Sequence, residues 1–105
     1  MTLRNLAQLI QSAAADYPEA PYGTFDRHDG LAAVHARSVR VADALRNAGL
    51  CRGDIVALVG ENSGDYLVTW MAMQLCGLQS ALINPTYPDE LLADMIDDLA
   101  PQGIV

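Results

Sequence analysis

The segment at residues 60–64, with the sequence GENSG, is a candidate site for chemistry in this chain. It follows a predicted strand and precedes a predicted helix, and α/β folds commonly bind phosphate groups at such a junction. However, it contains neither the GxGxxG pattern of dinucleotide-binding folds nor the lysine-containing phosphate loop. We therefore predict a tight turn in which Asn62 or Ser63 caps the following helix.

Acidic residues and histidine form two further candidate groups. Asp26, His28 and Asp29 are possible metal ligands, but neighbours within one turn rarely converge on an ion, and no second group has ligand spacing. We expect a solvated turn there. Carboxylates on one side of the predicted fourth helix could act as acids and bases or hold magnesium, although a solvated outer face is far commoner. These carboxylates are Glu90, Asp94, Asp97 and Asp98.

A third candidate group is apolar. Trp70, Met71 and Met73 could line a tunnel for a hydrophobic ligand, but packing between a sheet and a helix layer explains them as well. His35 has no carboxylate at helical spacing, so we assign it no role.

The composition excludes several functions. All six cations are arginines, so this chain can supply no Schiff-base lysine, phosphate-loop lysine or lysine general base. The net charge of −7 argues against nucleic acid or an anionic membrane as a partner, since phosphate binding requires clustered cations.

Cys51 and Cys76 are not spaced as a metal or redox pair, and no signal peptide is visible, so we expect a cytoplasmic protein without a transmembrane segment.

Four helices and four strands, one of them a short edge strand, should position these groups. Thr2 is a candidate N-cap for a helix that runs to about Ala15, with Leu3, Leu6, Ile10 and Ala13 on its inner stripe. A short edge strand is predicted at residues 22–26. The second helix covers residues 31–48 and ends before Gly49; its predicted inner stripe is Val34, Ser38, Val41, Ala42, Leu45 and Ala48, with Arg37, Arg40 and Asn47 outside.

The second half of the chain reads as strand, helix, strand, helix and strand. A buried strand is predicted at residues 54–59, an apolar helix at 65–76 that ends before Gly77, and a strand at 80–83. Strand, helix and strand fit the length of a right-handed βαβ crossover. A fourth helix follows, with Pro88 at its first position, and its inner stripe is Leu91, Leu92, Met95, Ile96 and Leu99. A third parallel strand begins at Gly103.

These elements predict an α/β fold with a partial doubly wound, mainly parallel sheet and flanking helices. The chain stops two residues into a core strand, and 51% of its residues are hydrophobic, which is high for 105 residues. We therefore expect a fragment of a larger domain that self-associates through exposed strand edges or apolar faces. The alternative is a complete small α/β binding module without catalysis. A dinucleotide-binding domain is disfavoured, because this sequence lacks the glycine fingerprint of such domains. It also lacks a ribose-binding acid after the second strand, where Asn84 and Pro85 stand.

The order and spacing of these features resemble the N-terminal segment of the adenylate-forming superfamily, which includes acyl-CoA synthetases, aryl-CoA ligases, luciferases and nonribosomal adenylation domains. The resemblance extends from about Leu6 to Val105 and depends on Gly53-Asp54, Asn62-Ser63, Gly77 and Asn84-Pro85. The run Asn-Pro-Thr-Tyr-Pro at residues 84–88 is most similar to fatty-acyl-CoA and coumarate-CoA ligases. One departure is Gly30, which stands where the family commonly places a threonine or serine N-cap.

The resemblance implies a parent enzyme that joins a carboxylic acid to coenzyme A at the expense of Mg-ATP through an acyl-adenylate. Residues 1–105 would be the N-terminal part of its large AMP-binding domain, and a fatty acid would be the acid. The family's phosphate loop, aromatic-Gly-x-Thr-Glu segment, ribose-binding aspartate and C-terminal lysine have no counterpart in this sequence. We therefore predict no catalytic, cofactor-binding or metal-binding residue in this chain, no activity for it alone, and the remainder of the parent enzyme as its partner.

Overall fold

The computed structural model describes residues 5–20, 30–61 and 63–105. The described elements, in chain order, are α1 (Leu6–Asp16), α2 (Leu31–Asn47), β1 (Ile55–Val59), α3 (Gly64–Leu75), β2 (Gln79–Ile83), α4 (Asp89–Leu99) and β3 (Gly103–Ile104). Thr2, Leu3, the predicted strand at residues 22–26 and the candidate group Asp26, His28 and Asp29 lie outside the described residues. No helix within the described ranges is both long and apolar enough to cross a membrane.

The three strands form one parallel sheet with the order β2-β1-β3. Ile55 pairs with Gln79 and Val59 with Ile83 on one side of β1, while Val56 pairs with Gly103 on the other. From β1 the chain crosses through α3 to β2 on one side of β1. It then crosses back through α4 to β3 on the other side of β1. Because both crossovers should be right-handed, α3 and α4 belong on opposite faces of the sheet. This confirms the predicted α/β class with a partial doubly wound sheet.

Strand β1 is central in the sheet, and its middle is covered on both faces. Val56, Ala57 and Leu58 are all buried, as the absence of polar alternation predicted. Val56 and Leu58 share a core with Ala42 and Leu45 of α2, so this face of the sheet packs against the α2–α3 layer.

Helix α3 is buried between two cores. Met73 packs toward the sheet with Val56 and Leu58, while Met71 packs with Ile10 of α1 and Val34 of α2. Trp70 is half-buried against both cores. The prediction that these side chains fill the interior is therefore confirmed.

Two glycines end the helices as predicted. Gly49, after α2, has a φ of 97°, and Gly77, after α3, has a φ of 69°. Residues with a side chain rarely adopt a φ in this left-handed region, whereas glycine does so without strain and can therefore end a helix there. Helix α4 ends instead on Ala100, a non-glycine residue that adopts the same region with a φ of 46°.

Several predicted details were wrong. Helix α1 begins at Leu6, because the side chain of Asn5 accepts a hydrogen bond from the amide of Gln8 and caps it. Pro88 is the N-cap of α4 rather than its first residue. Ala48 was placed on the buried stripe of α2, but it lies past the end of the helix and is exposed.

The covered parts of α1 and α4 also differ from the prediction. In α1 the buried residues are Ile10 and Ala14, while Leu6 is exposed. No residue of α4 is buried, and Leu91 of its predicted inner stripe is exposed. Helix α4 therefore encloses no core of its own.

Candidate functional site

The carboxyl edge of the sheet carries a partly open cavity. A cavity of about 490 Å³ opens where β1 and β2 end. Its lining comes from three places: the end of β1, the first turn of α3, and the end of β2 with the turn after it. The lining residues are Gly60, Glu61, Tyr66, Leu82, Ile83, Asn84, Pro85 and Thr86.

The turn after β2 is held by its own side chains. The Oδ1 of Asn84 accepts hydrogen bonds from the amide of Thr86 at 2.9 Å and from the Thr86 hydroxyl at 2.8 Å. An asparagine side chain that bonds the backbone two residues on is a common way to start a turn, and Pro85 has the restricted φ that such turns use. The short sequence Asn-Pro-Thr thus builds one wall of the cavity locally.

The opposite wall is the start of α3. The Oγ of Ser63 accepts a hydrogen bond from the amide of Tyr66 at 3.1 Å, so the predicted cap is confirmed at Ser63. Gly60 lies beneath the Tyr66 ring, and a Cβ on Gly60 would approach that ring to 3.2 Å. The lack of a side chain on Gly60 therefore lets the aromatic ring reach the cavity.

A second, more open depression of about 470 Å³ lies on the other side of β1, at the ends of β1 and β3. It is lined by Leu58, Val59, Gly60, Glu61, Ser63, Asp65, Tyr66, Thr69 and Val105. With the strand order β2-β1-β3, the crevice between β1 and β3 is the point at which the crossovers change direction. Open α/β sheets bind their ligands at this switch point.

The charge of this edge does not suit a phosphate group. Glu61 borders both spaces and Asp65 borders the second, and among the described residues no arginine lines either one. Asp65 is paired instead with Arg37 of α2, whose guanidinium donates to its carboxylate at 2.6 Å. The walls can therefore accept an apolar or neutral hydrogen-bonding group. Of the two caps predicted for this turn, Asn62 lies outside the described residues and only Ser63 is observed.

Arg37 and Tyr66 are two residues of this edge that the sequence did not single out. Arg37 was predicted to lie on the outer face of α2, but its side chain is only 21% exposed because it leans across to Asp65. Arg37 and Asp65 are 28 positions apart in the sequence, and no local pattern links them. Tyr66 was predicted only as part of the apolar helix at residues 65–76, and its position in the first turn, three residues after the cap at Ser63, was the signal available for placing it at the junction.

The other candidate groups do not converge on a site. Glu90, Asp94, Asp97 and Asp98 are all exposed, which confirms the solvated outer face of α4. Within the described ranges no three residues of the ligand types are grouped so as to hold a metal ion. His35 is half-buried on α2, and its Nε2 is a buried atom that has no hydrogen-bond partner.

Comparison with known proteins identifies the family of this chain. Residues 10–105 match the family described as AMP-binding enzyme. The chain belongs to the AMP-binding enzyme family. This confirms the resemblance to adenylate-forming enzymes that the sequence predicted.

Relatives of two biochemical kinds match the chain. A linear gramicidin synthase of Brevibacillus parabrevis is 31% identical over 96 residues, which cover 90% of this chain and 1% of that protein. Feruloyl-CoA synthase of an Amycolatopsis species is 40% identical over 70 residues, which cover 63% of this chain and 14% of that protein. Since peptide synthetases and acyl-CoA ligases both match, the predicted closer similarity to fatty-acyl-CoA ligases is not confirmed.

A solved structure supports the fold. The N-terminal subdomain of Klebsiella oxytoca NpsA superposes with a TM-score of 0.92 over 98% of this chain and 27% of that structure, at 19% identity. At this identity the likeness concerns the fold alone. The described chain thus spans about a quarter of the solved relative and a smaller part of the curated ones.

Proposed function

We propose that this chain is the N-terminal part of the large domain of an acyl-CoA ligase. The parent enzyme activates a carboxylic acid with Mg-ATP, releases pyrophosphate, and transfers the acyl group from the adenylate to the thiol of coenzyme A. A fatty acid is the acid that we propose first. The single observation that carries the proposal is the match of residues 10–105 to the AMP-binding enzyme family.

Within such an enzyme the described residues would act as a scaffold. The chain contains no lysine, and no cation among the described residues lines the two spaces at the carboxyl edge of the sheet, so we assign the groups that bind ATP to the remainder of the parent enzyme. That remainder is the partner we propose for this chain. The capped start of α3 and the Asn84 turn hold one end of the sheet in a fixed shape against which those groups can be positioned.

Two observations support transfer to coenzyme A and a location in the cytoplasm. The identity of 40% to feruloyl-CoA synthase favours a thioester product. Cys51 and Cys76 are both free, which suits a reducing compartment.

The proposal is tested with the full-length protein that carries this segment. Exchange of labelled pyrophosphate into ATP is measured with a long-chain fatty acid, with a hydroxycinnamic acid and with a mixture of amino acids, and thioester formation is then measured with coenzyme A. We expect exchange and thioester formation with the fatty acid. The isolated 105-residue chain is the control, and we expect it to show no exchange above a blank without protein.

A second function is favoured by a specific observation. The similarity to the linear gramicidin synthase covers nine tenths of this chain, whereas that to feruloyl-CoA synthase covers less than two thirds. An adenylation domain of a peptide synthetase would give exchange with an amino acid and no thioester with coenzyme A. That result would overturn the ligase proposal, and exchange by the isolated chain would overturn the scaffold role.

A further inference from the structure

Strand β2 has an open outer edge. On its inner side the amide of Gln79 donates to the carbonyl of Asp54, so Gln79, Ala81 and Ile83 direct their backbone groups toward β1. The backbone groups of Ser80 and Leu82 alternate with these and point away from β1. In the part of the chain that the structure describes, no strand pairs with that outer side.

This edge lacks the devices that usually prevent strands of separate molecules from pairing. Natural edge strands are commonly protected by charged side chains, proline, bulges or very short length. Residues 79–83 have the sequence QSALI, with no charge and no proline, and all five pair in register with β1. The uncharged stretch around them extends from residue 66 to residue 88, although the chain as a whole has a net charge of −7.

The edge also presents an apolar side chain to solvent. Leu82 is 54% exposed, although its register partner Leu58 on β1 is buried. A strand added alongside β2 would cover Leu82 and satisfy the backbone groups of Ser80 and Leu82 together.

We propose that two copies of this chain pair through β2, antiparallel and about a two-fold axis, to form a continuous six-stranded sheet. An edge strand placed against itself about a two-fold axis is self-complementary. The register that overlaps all five residues sets Ala81 opposite Ala81 of the second copy. Ser80 then lies opposite Leu82, and these two residues exchange the outward backbone hydrogen bonds.

The charges of the molecule set the salt dependence of this dimer. The contact contains no ion pair, while two copies of net charge −7 repel each other. Added salt screens that repulsion over about 8–10 Å, so the dimer should become tighter as the salt concentration rises. Docking through ion pairs would show the opposite dependence.

Backbone pairing is tested by light scattering on the 105-residue chain at roughly 50 µM, an order-of-magnitude choice of concentration. We expect twice the monomer mass of 11.3 kDa. Leu82→Pro removes an outward amide without disturbing the hydrogen bonds to β1, and should halve the measured mass. Leu82→Ala removes the exposed side chain but keeps that amide, and should remain dimeric. A monomeric wild-type chain, or a Leu82→Pro chain that is folded and dimeric, would overturn the proposal.

Cross-linking tests the register even if Leu82→Pro does not fold. Ala81→Cys, made together with Cys51→Ser, should form a disulfide-linked dimer with oxidised glutathione, because facing residues of a non-hydrogen-bonded antiparallel pair are about 4.5 Å apart at Cα. Ala93→Cys in the same background is the control, since Ala93 is exposed on α4 and should not cross-link. Equal cross-linking at both positions, or none at Ala81, would refute the paired edge. Neither experiment depends on the enzymatic proposal, which needs the full-length protein.

Discussion

At the scale of single residues, two buried polar groups fasten α2 to α3. Ser38 is fully buried, and its hydroxyl can donate to the carbonyl of Val34 at 2.9 Å or to that of Val68 at 3.3 Å. The thiol of Cys76 points back at the carbonyl of Ala42 at 3.4 Å. The contacts of Ser38 with Val68 and of Cys76 with Ala42 join segments that are 30 and 34 residues apart in the sequence. Both contacts therefore depend on how α2 packs against α3.

The thiol of Cys76 should make stability depend on pH. Burial raises the pKa of Cys76 above its ordinary value, and the nearby charge of Arg46 only partly opposes this. As the pH rises past the ordinary thiol pKa, the unfolded chain loses the proton while the folded chain retains it. The free energy of unfolding should therefore fall as the pH rises, and should level off above the raised pKa of the folded state.

Urea unfolding of the wild-type chain and two variants between pH 8 and pH 9.5, a range chosen around the ordinary thiol pKa of about 8.5, measures this effect. Cys76→Ala should have a smaller decline with pH than the wild type. Cys51→Ser, which alters the exposed thiol, should keep the full decline. Identical pH slopes in the wild type and Cys76→Ala would contradict the assignment.

At the scale of secondary-structure elements, the capped start of α3 is the junction that shapes the candidate site. Ser63 satisfies the amide of Tyr66, and Arg37 reaches the carboxylate of Asp65 in the first turn. Both contacts fix where α3 begins relative to the end of β1. The cavity wall formed by Tyr66 depends on that position.

Replacing the cap should therefore destabilise the chain. Ser63→Ala should lower the free energy of unfolding by about 1 kcal/mol, the typical loss when a serine N-cap is removed. Ser63→Asp should restore most of it, because aspartate also accepts the amide hydrogen bond and suits the positive end of the helix dipole. Urea denaturation at neutral pH measures both variants, and an unchanged midpoint in Ser63→Ala would show that the cap contributes nothing.

At the scale of the whole molecule, the sheet should be least prone to opening at its centre. Strand β1 is bonded on both sides, whereas β3 has two residues and one neighbour. Val59 donates to the carbonyl of Val105 and Val105 donates to that of Ala57, so the edge depends on β1 for its order.

Amide hydrogen exchange should reflect this arrangement. We expect the amides of Val56, Ala57 and Leu58 to exchange slowest, because opening them requires loss of the shared core. The amide of Ile104, which is on an exposed edge residue, should exchange considerably faster. Nuclear magnetic resonance of the isolated chain makes the comparison, and equal rates in β1 and β3 would mean that the sheet opens as one unit.

Much of the architecture follows from the sequence alone. The absence of polar alternation in residues 55–59 predicted a strand covered on both faces, and Gly49 and Gly77 marked the ends of two helices. The solvated face of α4 and the cap at Ser63 were also predicted, because each depends on residues only a few positions apart. Hydrophobic periodicity and capping are local properties, and a local pattern is sufficient to read them.

Only the tertiary structure decided which elements are neighbours. It placed β3 beside β1 rather than β2, brought Arg37 to Asp65, and left Leu82 and Leu91 exposed although both belong to apolar patterns. A stripe of apolar residues specifies that a face tends to be covered, but what covers it depends on chain segments far away in sequence. The two spaces at the carboxyl edge of the sheet arise in the same way, from strand order and helix placement that no short stretch of sequence contains.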